Sequence, residues 1–149
     1  MAENRRFAPL VVIGFLAGAI SVFVFHQGFI FIGWRLGMLP NAPYSLEPTA
    51  PLGVPRVISS AFWGGLWGIA AAFLVPRLPG ALHGVLGWIL FAAIVVALAN
   101  WFVVQPIKGG GAFRMPVMPW LVVLPLVYGL WGFGMWLIAG ALRTTLRWR

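Results

Sequence analysis

Four stretches of the chain contain no charged side chain: Phe7 to Trp34, Val57 to Pro76, Leu78 to Ile107 and Met115 to Leu142. Nothing else in the sequence limits the fold so tightly. Each stretch supplies the roughly 20 residues that an α-helix needs to cross a hydrocarbon core about 30 Å thick. Backbone groups in lipid must be satisfied within the segment, which favours helices. A membrane barrel would need polar residues at every second position. Runs such as Val11-Val12-Ile13 and Ile94-Val95-Val96-Ala97 do not alternate. Composition agrees, with 62% hydrophobic and 8% charged residues, against about 25% charged in a soluble domain. The expected architecture is an all-α membrane protein, a four-transmembrane-helix bundle. It forms a single domain over residues 1–149, with helices at 8–34, 57–76, 82–105 and 117–142.

The first span follows Arg5 and Arg6, the layout of a signal peptide. Its apolar part runs well beyond the usual 7–15 residues of a signal core, so it is read as a retained helix. Lys and Arg then set the orientation. One side of the membrane receives Arg5, Arg6, Arg77, Arg143, Arg147 and Arg149, the other Arg35, Arg56, Lys108 and Arg114. The richer side belongs in the cytoplasm, which places both termini there. The net charge of +8 is spread between apolar spans, a pattern of topology and anionic lipid rather than nucleic-acid binding.

The connections differ. The middle one, around Arg77-Leu78-Pro79-Gly80, is short and should make the second and third helices antiparallel neighbours. The external loop 35–56 carries Pro40, Pro43, Pro48, Pro51 and Pro55 and should be extended and stiff, since proline fixes φ and removes a donor. The second external loop holds Lys108-Gly109-Gly110-Gly111, a tight or flexible turn. Gly65-Leu66-Trp67-Gly68 recurs as Gly129-Leu130-Trp131-Gly132, which suggests two tandem helical hairpins in parallel orientation.

Several chemistries are excluded within one chain. There is no cysteine, so no disulfide, thiolate metal site or thiol catalysis. The only acids are Glu3 and Glu47, too few for paired-carboxylate hydrolysis, a hard-cation cage or a carboxylate proton relay. Ser-His-Asp catalysis lacks its acid. The two histidines, His26 and His83, fall at opposite membrane depths, which excludes a shared haem, copper or zinc. No metal site and no catalytic residue is expected.

The candidate polar site lies in the external half. His26 and Gln27 come from the first span, Arg56, Ser59 and Ser60 from the start of the second, and Asn100 from the third. At 1.5 Å per residue, His26 lies roughly 13 Å below Arg35, and Asn100 roughly 12 Å below Lys108. Polar groups at such depth face the bundle interior and pair with one another. One reading is an interhelical hydrogen bond from His26 to Asn100 or a serine. The other is a site under the proline-rich loop, where His26 ligates haem or bonds a quinone carbonyl.

Two further patterns concern packing. Gly14 and Gly18, and Gly64 and Gly68, are GxxxG pairs that allow close helix approach, within the bundle or onto a partner. Trp34, Trp101, Trp120 and Trp148 fall near the interfaces as anchors, while Trp63 and Trp67 share a helix face. Such a face either packs or receives a planar ligand. Pro125 should bend the fourth helix.

Phe25-His26-Gln27-Gly28, Pro40-Asn41-Ala42-Pro43-Tyr44 and Phe62-Trp63-Gly64-Gly65-Leu66-Trp67-Gly68 together resemble a group of small bacterial four-helix inner-membrane proteins. The resemblance implies a bacterial inner-membrane location and carries no activity. The expected role is non-catalytic, a structural or accessory subunit of a membrane complex. A small oligomeric transporter or channel is the alternative, and a haem- or quinone-binding protein using His26 a third. The expected partners are the lipid bilayer, other membrane subunits or further copies of the chain.

Overall fold

The computed structural model describes residues 4–107 and 120–145. Its four long apolar helices are α1 (Ala8–Arg35), α2 (Arg56–Arg77), α3 (Val85–Val104) and α4 (Leu121–Thr145). The chain is an all-α four-helix bundle and a multi-pass membrane protein. The expected spans agree closely with these bounds. Helix α3 starts three residues later than expected because Gly80–His83 forms a 3-10 turn, with Gly80 at φ +58°. Lys108, Gly109–Gly111, Arg114 and Pro119 lie outside the described residues, as does Trp148, and the side chain of Trp120 is not described.

The two GxxxG pairs meet each other. A Cβ on Gly14 would lie 2.8 Å from the Gly68 carbonyl oxygen, and a Cβ on Gly18 would collide with that of Gly64. Helices α1 and α2 therefore pack backbone to backbone, which only glycine allows and which gains dispersion along the whole contact. The second hairpin repeats the device. Gly132 of α4 sits on the Trp88 carbonyl and Ala92 of α3. Gly68 and Gly132 close the two Gly-Leu-Trp-Gly motifs, so the repeat performs the same packing task twice. Helix α1 packs on both α2 and α4, and α4 packs on α3. Helices α2 and α3 meet near their short connection, where Gly87 lies against Val75 and Trp67 against Phe91. The core runs from that connection, with Ile13, Ala17, Ala71, Val75, Trp88, Ala92, Met135 and Ala139 buried, up to Val22, Ala61, Val96 and Trp131.

Two buried hydrogen bonds tie α1 to α4. The Ser21 hydroxyl donates to the Trp131 carbonyl at 2.7 Å, and the Trp131 indole N–H donates to the Gly18 carbonyl at 3.0 Å. Pro125 lies inside α4, which continues past it from Trp120 to Thr145.

Helix α1 is longer than a bilayer requires. Its 28 residues extend about 42 Å at 1.5 Å per residue, against a hydrocarbon thickness of about 30 Å. It ends in a Schellman cap: Gly37 at φ +70° bonds back to the Trp34 carbonyl at 3.0 Å, and Met38 to the Gly33 carbonyl at 2.8 Å. The loop then folds back along α1, with Leu39 buried against Gly33. The proline-rich loop is non-helical, as its composition requires, and carries a short antiparallel hairpin pairing Pro48–Thr49 with Val54–Pro55.

Candidate functional site

Two neighbouring cavities occupy the loop-side half of the bundle. The inner one, about 60 Å³, is lined by all four helices. Its upper ring includes His26, Ser60, Asn100 and Tyr128, and its walls and floor Trp63, Trp67, Val96 and Trp131. The outer one, about 310 Å³, lies under the proline-rich loop between α1 and α2, where Gln27, Asn41, Ser45, Glu47 and Arg56 contribute. His26 and Ser60 line both cavities. They stand between a polar vestibule and an aromatic chamber.

Local backbone geometry makes the chamber. Helix α1 contains a π-helical turn at Val22–His26, and α3 contains two, at Phe91–Val96 and Asn100–Val104. Val22, His26, Val96, Asn100 and Val104, every chamber residue from these two helices, belong to those turns. A π-turn is wider than an α-turn and re-aims the side chains around it, and such turns concentrate at functional sites. Beneath the chamber the path closes. Gly18 packs on Gly64 and accepts from Trp131, and the buried core follows. The chamber is blind on the side of the α2–α3 connection.

The same π-turn anchors the loop. The Gln27 N–H bonds to the Val22 carbonyl, one residue further back than in an α-helix. The Phe23 carbonyl accepts the Tyr44 hydroxyl at 2.9 Å. The buried Gln27 side chain accepts the Tyr44 N–H at 2.8 Å and lies 3.4 Å from His26 Nδ1. Tyr44 adopts φ +53°, a conformation costly for a residue with a Cβ. Two hydrogen bonds to α1 hold it there. The loop also caps α2. The Glu47 carbonyl accepts from Arg56 N at 2.9 Å and the Ser45 carbonyl from Val57 N at 3.0 Å, satisfying two of the donors a helix start leaves open. The Arg56 and Glu47 side chains form an exposed ion pair at 2.9 Å.

His26, Gln27, Ser60, Arg56 and Asn100, chosen from sequence, do come together. Among the described residues, no hydrogen bond joins His26 to Asn100 or to Ser60. Asn100 and Ser60 make no side-chain hydrogen bond to another described residue; they face the chamber instead. Ser59 lines neither cavity, because one step along a helix turns about 100° away from Ser60. The helix ends are staggered. His26 lies well below the end of α1 but level with Ser60, which is one turn, roughly 6 Å, inside Arg56. The overshoot of α1 accounts for the difference. His83 lies in the turn at the opposite end, with its Nδ1 against the Gly80 carbonyl. Trp63 and Trp67 face the chamber together, whereas Trp136 is exposed on the outside of α4.

Sequence reasoning missed Ser21, Tyr44 and Tyr128. Tyr128 sits one turn before Trp131 and packs its ring 5.8 Å from that of His26. That i, i+3 spacing was available as a signal. The clamp of Ser21 and the strained φ of Tyr44 have no sequence signature.

Comparison of the chain with protein families, with curated proteins and with solved structures finds no match. The functional reading therefore rests on the chamber and its entrance.

Proposed function

We propose that this chain is a non-catalytic protein of the bacterial inner membrane that takes a small solute into its chamber from the side of the proline-rich loop. The termini lie in the cytoplasm and the loop outside. The observation that carries the reading is that vestibule and chamber adjoin at His26 and Ser60, which line both. Asn100 and Ser60 face the chamber without a side-chain hydrogen bond to another described residue, which is what a site for solute requires, whereas packing alone would pair them. The blind floor makes one chain a half-path. A transporter or channel would then need the floor to open or a second copy to complete the route. Haem is disfavoured, because a chamber of about 60 Å³ is far too small for a macrocycle.

Because the chain has no cysteine, accessibility is directly testable. Ser60→Cys and Asn100→Cys should react with a small membrane-impermeant thiol reagent added from outside intact cells, and Ser21→Cys should be protected. If neither Ser60→Cys nor Asn100→Cys reacts, the reading fails. Labelling only in inverted vesicles would reverse the orientation.

A role as an accessory subunit is favoured by one separate observation. Leu36, Met38, Leu46 and Leu52 are 68–83% exposed in the loop between α1 and α2. A membrane partner on that side would cover these apolar side chains. Photocrosslinking from position 52 in native membranes should then give one discrete hetero-adduct, and no adduct would count against this role.

A further inference from the structure

We infer that the chamber selects a small, planar, uncharged hydrogen-bonding solute of the amide class. This rests on the solute-binding reading and names its ligand chemistry. The chamber is lined by no Asp, Glu, Lys or Arg. An ion entering it would leave water with no permanent charge beside it and only the His26 imidazole to face, and burying an unpaired charge is far costlier than burying a hydrogen-bonded neutral group. The vestibule adds no selective field of its own, since Glu47 and Arg56 neutralise each other at 2.9 Å.

What the chamber does offer suits a neutral amide. Asn100 presents an amide with donor and acceptor, and Ser60 a hydroxyl that can be either. Trp63, Trp67, Tyr128 and Trp131 supply apolar walls. The Trp131 indole N–H is already committed to Gly18, so this ring contributes surface rather than a donor. A volume of about 60 Å³ restricts the ligand to a few heavy atoms. The affinity ceiling for so small a ligand lies near a millimolar.

Formamide, formate and formamidinium share one planar shape and differ in charge, so they isolate the claim. The full chain in lipid nanodiscs is titrated with each at constant ionic strength while tryptophan emission is followed. Formamide should give a saturable change at millimolar concentrations or above, weakened at least tenfold by Asn100→Leu and several-fold by Ser60→Ala. The second variant keeps the test decisive if the first fails to fold. Formate and formamidinium should give none. A saturable response to either ion, or a merely linear response to formamide, overturns the amide assignment. External labelling of Ser60→Cys separates the two levels. With labelling intact and no formamide response, the ligand class is wrong; without labelling, the entrance itself is wrong.

Discussion

Trp131 donates its indole N–H to the carbonyl of Gly18 at 3.0 Å, at the level where Gly18 also touches the α2 backbone. Three helices are therefore joined at one residue. The Ser21 hydroxyl returns a bond to the Trp131 carbonyl at 2.7 Å, so the contact is reciprocal. Interhelical hydrogen bonds in membranes average about 0.6 kcal/mol and reach about 1.7. Ser21→Ala should cost about 0.6 kcal/mol, and Trp131→Phe more, because it also loses buried ring area. Steric trapping in bicelles would measure both. A double-mutant cycle should return a positive coupling, since the two bonds share one geometry.

Glycine substitutions should separate close packing from glycine content. Gly18→Ala puts a methyl group onto the Gly64 carbonyl and within 3.1 Å of the Gly68 Cα. Both obstacles are backbone, so α1 and α2 must separate, at about 1–3 kcal/mol. Gly28 lies in the same helix with nothing within 4 Å of its added Cβ. Gly28→Ala should be neutral, or stabilising by up to about 1 kcal/mol through helix propensity. Unfolding midpoints in mixed micelles should move in opposite directions or differ clearly. Equal losses would refute the interlocked GxxxG contact.

The spans were legible because absence of charge over 20 residues is a long-range pattern that lipid reads directly. The GxxxG pairs were legible as close-packing surfaces, but their mutual partnership was not, since spacing on one helix does not name the helix opposite. The polar cluster was found for a sound reason, depth measured from helix ends. Measuring each residue from its own helix end does not reveal how far α1 extends past the start of α2. The π-turns were invisible. A run such as Val22-Phe23-Val24-Phe25-His26 has no feature marking one widened turn, and tertiary packing decides it.

The Tyr44 latch predicts a loop that can be loosened without unfolding the bundle. Tyr44→Phe removes the bond to the Phe23 carbonyl but keeps the ring and the backbone bond to Gln27. The loop should open more often, raising hydrogen exchange across residues 40–47 about threefold to tenfold, while exchange in α4 stays unchanged. Gln27→Leu removes the acceptor for the Tyr44 N–H and leaves φ +53° without that support. Its effect should be the larger of the two. Unchanged loop exchange in both variants would show that Tyr44 does not hold the loop.

The vestibule's neutrality can be unbalanced by one atom exchange. Glu47→Gln leaves the shape of the loop but frees the Arg56 charge at the entrance. Both groups are exposed, so the stability change should stay within about 1 kcal/mol. The local potential changes sign of selection instead. On a Ser60→Cys background, an anionic thiol reagent should react about two- to fivefold faster and a cationic one correspondingly slower, as expected for one unit charge acting across a few ångströms of water. Raising salt from 0.15 M to 1 M shortens the Debye length from about 8 Å to about 3 Å, and the difference should collapse. Rates that ignore the reagent's charge at low salt would mean that the reagents do not reach Ser60 past Arg56, and that the entrance lies elsewhere.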